Sequence, residues 1–215
     1  MKQKDPTSQS QLRAIQYWYV DGTFEFSFGL LFLVLGIYFY VENLLQGTWL
    51  SALADSLLVV VLIGGAFLMN WLVRKWKERV TFPRTGYVSY PRKYGLKRGW
   101  RVLIGLVIGG VVGATAVYLL SREDIKLSVM PLLTGILFGI VMTLVGWRTS
   151  LQRFYVQAAL STLVGFGLAF CTLGNYMGLA AYYMAISLVW LASGTLILRK
   201  YLRNNPVPQE EPNER

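Results

Sequence analysis

Positions 154–198 read FYVQAALSTLVGFGLAFCTLGNYMGLAAYYMAISLVWLASGTLIL, without one ionised side chain from end to end. A bilayer core of roughly 30 Å needs about 20 mostly apolar residues per helical crossing, so this run is long enough for two crossings. Gly174-Asn175 is a turn-forming pair inside it and predicts the break, which leaves spans at 154–173 and 177–198. Working outward, 127–147 and 102–120 are also free of charge, and 53–73 carries only Asp55 near its start. The first span, 24–41, is the shortest and has Glu25 at its edge, but its Leu, Phe and Val content suits a crossing better than a helix lying in the interface with one polar face. These runs are apolar throughout, whereas barrel strands alternate apolar and polar residues. A cleaved leader is not expected either, since Tyr38-Phe39-Tyr40 follows the first run where a small-residue cleavage pattern would stand. The expected fold is all-α, a six-span transmembrane helical bundle.

Charge sets the orientation. Of the 21 Lys and Arg, all but Arg122 and Lys126 fall in the N-terminal arm, between the second and third spans, between the fourth and fifth, or after the sixth. Short loops rich in Lys and Arg stay cytoplasmic, so the alternation predicts N-in and C-in. Trp71, Trp76, Trp100 and Trp147 mark the inner boundary and Tyr40, Trp49 and Tyr118 the outer one, as rings that prefer the headgroup layer should. The net charge of +10 follows from this topology and points to anionic lipid of the cytoplasmic leaflet, not to nucleic acid. Only 15% of the 215 residues are charged, against about a quarter in an ordinary soluble domain.

Residues 1–16 read as a cytoplasmic arm, 17–203 as the membrane domain with a basic cytoplasmic loop at 74–101, and 204–215 (NNPVPQEEPNER) as a disordered tail. Within the loop, Val80 to Pro91 alternates β-branched and aromatic residues around Pro83-Arg84-Thr85-Gly86, which suggests a short β-hairpin or extended hook. Arg84, Thr85, Gly86, Tyr87, Arg92 and Lys93 are the candidate docking residues there, for anionic lipid or a membrane-protein partner.

YWYVDG at Tyr17 to Gly22, TFPRTGYV at Thr81 to Val88 and RKYLRNNP at Arg199 to Pro206 resemble a family of small, uncharacterised bacterial membrane proteins. The resemblance covers most of the chain and implies a bacterial plasma membrane; it implies no activity.

There is no His, and Cys171 is the single Cys, so Ser-His-Asp and Cys-His catalysis and His or Cys zinc sites are excluded. No cofactor or metal is expected, no enzymatic motif is present, and Cys171 itself reads as a buried thiol. Acidic residues within spans are expensive, which makes Asp21 and Glu25, four apart at the inner end of the first span, a candidate ion or salt-bridge site. Their partners would come from Arg148, Arg153 or the 74–101 loop. Ser51 and Asp55 suit capping at the start of the second span, and Asn70 and Gln157 suit interhelical hydrogen bonds. Gly105, Gly109 and Gly113 in the third span and Gly135 and Gly139 in the fourth form small-residue stripes that let backbones approach closely, within this chain or in a homodimer. Two functions follow from these readings: a non-enzymatic accessory or scaffold protein docking through its basic loop, or a small transporter or permease-like subunit.

Overall fold

A computed structural model describes residues 16–85, 118, 129–171 and 173–206. Among them the regular structure is entirely helical, with no strand. Helix α1 spans Thr23–Leu45, α2 Leu50–Trp76, a π-helical stretch Lys77–Thr81, α3 Phe82–Thr85, α4 Val129–Thr149, α5 Gln152–Ala169 and α6 Asn175–Asn204. Helices α1, α4 and α6 are each long and apolar enough to cross a membrane. Span 102–120 apart from Tyr118, and with it Gly105, Gly109 and Gly113, lies outside the described residues, as do 86–101 of the loop, 1–15 and 207–215.

The expected break at Gly174-Asn175 falls where α6 begins: Gly174 has φ +78°, a left-handed conformation glycine adopts without a Cβ penalty. The expected hook does not form over its first half. Residues 80–85 are helical, because Thr81 and Arg84 are bound to distant parts of the chain that alternation along the strand could not reveal. Pro83 has no N–H, and its ring crowds the carbonyl four residues back; the wide turn just before it, closed by Phe82 N–H donating to the Lys77 carbonyl, accommodates that without ending the helix. Positions 86–91 lie outside the described residues.

The described residues divide into two compact units, with α1 and α6 contributing to both. In the first, made of 16–35, 45–85 and 186–206, α1 and α6 run antiparallel. Gly22 faces Gly194 and Ile197, and Gly29 faces Leu191. Phe24, Phe28 and Phe32, one turn apart, ring the fully buried Trp190 at centroid distances of 6.2, 5.7 and 5.6 Å.

In the second unit, made of 36–44, 118, 129–171 and 173–185, α4 and α5 form a hairpin through Ser150, whose φ of 55° makes the tight reversal. Its packing is inverted relative to a water-soluble helix pair. The buried face of α4 holds Gly135, Gly139 and Gly146, while Ile136, Ile140, Val141, Leu144 and Trp147 are exposed. On α5 the buried face holds Gln157, Ala158, Ser161 and Gly165, while Val156, Leu163 and Phe166 are exposed. A Cβ on Gly135 would lie 2.9 Å from both the Gly165 Cα and the Ser161 carbonyl, so these backbones are in contact. Small residues inside and large apolar ones outside is the arrangement expected when the solvent is lipid and burying Leu gains nothing. The partner of Gly135 and Gly139 is thus α5 of the same chain. Thr134, Thr143 and Thr149 donate their hydroxyls to the carbonyls of Met130, Gly139 and Val145 one turn back, which satisfies them without water.

Candidate functional site

Gly22, at φ +71°, caps α1 and breaks the chain from the helical turn at 16–19. Asp21 therefore lies in the turn before α1 rather than four residues back on one face with Glu25, as the spacing alone suggests. Its Oδ1 accepts the Thr23 backbone N–H at 3.2 Å and the Thr23 hydroxyl at 2.7 Å. Its Oδ2 accepts Lys77 Nζ at 2.7 Å and the Thr81 hydroxyl at 2.9 Å. Lys77 Nζ also donates to the Trp18 carbonyl at 2.8 Å and stands 4.7 Å from the centroid of the Trp18 ring. Both charges are buried, Asp21 at 0% and Lys77 at 2% exposure, in the one ion pair among the described residues.

Each side chain of the cluster has a backbone reason to be there. The left-handed Gly22 turns the Asp21 carboxylate back over the first turn of α1. Lys77 and Thr81 open and close the π-helical stretch, and both reach the same carboxylate oxygen. Glu25, in the first turn of α1, is also fully buried. Arg84, expected as a docking residue, is half-buried and donates to the Leu202 and Asn205 carbonyls at 3.4 and 3.1 Å, where a cation suits the negative end of α6. Thr85 closes α3; Gly86, Tyr87, Arg92 and Lys93 lie outside the described residues.

Through Arg84 the end of the α2–α3 segment meets the end of α6, and their exposed cations gather there. Arg74, Lys75, Arg79, Arg199, Lys200 and Arg203 are all exposed, and Glu78 is the one exposed acid of that end among the described residues. Trp18, Trp71 and Trp76 are exposed in the same unit, with Lys75 Nζ 4.4 Å from the Trp71 ring. This is a basic, tryptophan-bordered surface braced by a buried ion pair.

Other expectations change. Cys171 is exposed, because α5 ends at Ala169 and places it in the following turn. Asn70 is exposed on α2. Ser51 donates to the Thr48 carbonyl instead of capping a backbone N–H, and the side chain of Asp55 is not among those described. Gln157 is 3% exposed, yet neither its amide nitrogen nor its oxygen has a hydrogen-bond partner. One turn on, the Ser161 and Tyr182 hydroxyls are 2.6 Å apart. Sequence reasoning passed over that pair and also Glu42, which is 2% exposed inside α1. The available signal for Glu42 was Tyr38 four residues earlier, since helical neighbours at that spacing share a face.

The fold and this site define a helical chain with three helices long and apolar enough to cross a membrane and a basic, tryptophan-bordered end. No protein-family model, curated protein or solved structure matches the sequence.

Proposed function

We propose that the chain is a six-span protein of the bacterial plasma membrane, with both termini in the cytoplasm. In this reading it acts as a non-enzymatic accessory or scaffold protein whose basic cytoplasmic face docks on anionic lipid. The observation that carries the reading is the convergence of six exposed cations on the joined ends of α2–α3 and α6, bordered by exposed tryptophans. Each Lys or Arg near an anionic surface contributes about 1 kcal/mol, and Trp prefers the headgroup layer. The resemblance to small bacterial membrane proteins belongs to the same reading and adds no activity to it.

In nanodiscs, the thermal midpoint should rise by several degrees when phosphatidylglycerol replaces phosphatidylcholine. The gain should shrink with salt and mostly vanish in the Arg199→Gln/Lys200→Gln/Arg203→Gln variant. Equal midpoints in both lipids would remove the lipid-docking role. A second reading, a small transporter, is favoured by the buried Gln157, Ser161 and Tyr182, a polar set on α5 and α6 at which a solute could be held. Solute flux into liposomes holding this protein alone would select it over the accessory role.

A further inference from the structure

The exposed cations of the basic end stand in two rows. In the first, Lys75 and Arg79 are four apart, hence one helical turn. The π-helical stretch then closes over five residues, with Phe82 N–H donating to the Lys77 carbonyl, so Arg84 follows Arg79 one wide turn on. In the second row Arg199 and Arg203, again four apart, share a face of α6. The rows meet at Arg84, whose donations to the Leu202 and Asn205 carbonyls fall on either side of Arg203. Arg84 is half-buried and occupied by those carbonyls, so it acts as the clamp that sets the spacing, while Lys75, Arg79, Arg199 and Arg203 stay open to a ligand. Glu78 is the one exposed acid there among the described residues, and the sequence has no Asp or Glu from Arg79 to Arg122.

Each row also passes from apolar to charged in the order a lipid does. Phe67 and Trp71, 74% and 53% exposed, precede Lys75 and Arg79 at the same four-residue step. On α6 the 65% exposed Leu196 precedes Arg199 and Arg203. Acyl chains would lie on the first part of each row and phosphate on the second. One phosphate needs only one row. Two rows held together by a clamp suit two phosphates joined in one headgroup, because binding the first makes the second contact intramolecular. Basic sites at the cytoplasmic ends of membrane helices are the kind that hold such headgroups.

We propose that this surface binds a lipid whose headgroup carries two phosphates, of the diphosphatidylglycerol class, one phosphate on Lys75 and Arg79 and the other on Arg199 and Arg203. This rests on the lipid-docking reading and narrows it to a lipid class. The test follows the thermal midpoint of the full chain in phosphatidylcholine nanodiscs as diphosphatidylglycerol or phosphatidylglycerol is increased, compared at equal phosphate. Diphosphatidylglycerol should reach half of its full effect at about 10-fold less phosphate. In Lys75→Gln/Arg79→Gln, a surface variant that keeps the α6 row, phosphatidylglycerol should still stabilise and the advantage should fall to about 2-fold or less. Arg74→Gln/Arg148→Gln, which removes the same charge from exposed positions outside the rows, should keep the advantage. Inorganic pyrophosphate, two phosphates without chains, should leave the midpoint unchanged. Equal half-effects of the two lipids overturn this proposal and leave lipid docking standing, whereas no stabilisation by either lipid removes docking itself. An advantage that survives in Lys75→Gln/Arg79→Gln, one lost equally in Arg74→Gln/Arg148→Gln, or a gain reproduced by pyrophosphate also overturns it.

Discussion

Asp21→Asn is expected to destabilise the protein by about 3–5 kcal/mol, because it leaves the Lys77 ammonium buried with its carboxylate partner gone. The amide of Asn keeps the shape and could still accept the Thr23 N–H, so the loss isolates the charge rather than the cap. The pair Asp21→Asn/Lys77→Met should recover much of that loss, since an apolar stem in place of the buried ammonium removes the stranded charge. Thermal unfolding in one detergent, compared across the two single variants and the double, gives the coupling directly. Single variants as stable as the original protein would mean that the ion pair does not brace this end of the chain.

Gly194→Leu should have an effect at least as large. A Cβ at position 194 meets the Phe26 backbone nitrogen in direct clash and lies 2.7 Å from the Phe26 Cα, so α1 would have to move bodily rather than turn a side chain aside. Overpacking of this kind costs more than the usual 1–3 kcal/mol, about 3 kcal/mol or beyond, because backbone cannot rotate away. Gly167→Leu is the matched control, since nothing lies within 4 Å of a Cβ there. The expected outcome is loss of folded protein on size-exclusion chromatography for position 194 and a normal monodisperse peak for position 167. Equal behaviour of the two would contradict the close approach of α1 and α6 at this point.

What could be read in advance follows from which forces are local. Apolar length is local, so the helices at 23–45, 129–149, 152–169 and 175–204 stand close to the uncharged runs that announced them. Gly174 is local too, and its turn was legible from two residues. The partner of Asp21 was not, because Lys77 is 56 positions away and no spacing rule links them. The same non-local bonds explain the error at 80–85: the alternation of Val80, Phe82 and Tyr87 suits a strand, but Thr81 is held by Asp21 and Arg84 by the end of α6. Glu42 was hidden for a different reason. A charge at the edge of an apolar run reads as the start of a loop, whereas α1 continues past it to Leu45 and buries it. Gln157 was recognised as a membrane-level polar residue, but its partnerless state depends on packing that its sequence neighbours do not determine.

The proposed sidedness places the basic end in the cytoplasm, and Cys171 provides a direct reporter of it, being the only cysteine of the chain and exposed in the turn between α5 and α6. Sealed right-side-out and inverted membrane vesicles would be treated with a membrane-impermeant maleimide, using the native protein and two variants on a Cys171→Ser background, Gln46→Cys and Asn204→Cys. With both termini inside, Cys171 and position 46 label in right-side-out vesicles and position 204 only in inverted ones. Labelling of position 204 from the outside, or of positions 46 and 171 from opposite sides, would contradict the six-span arrangement and the cytoplasmic docking surface built on it.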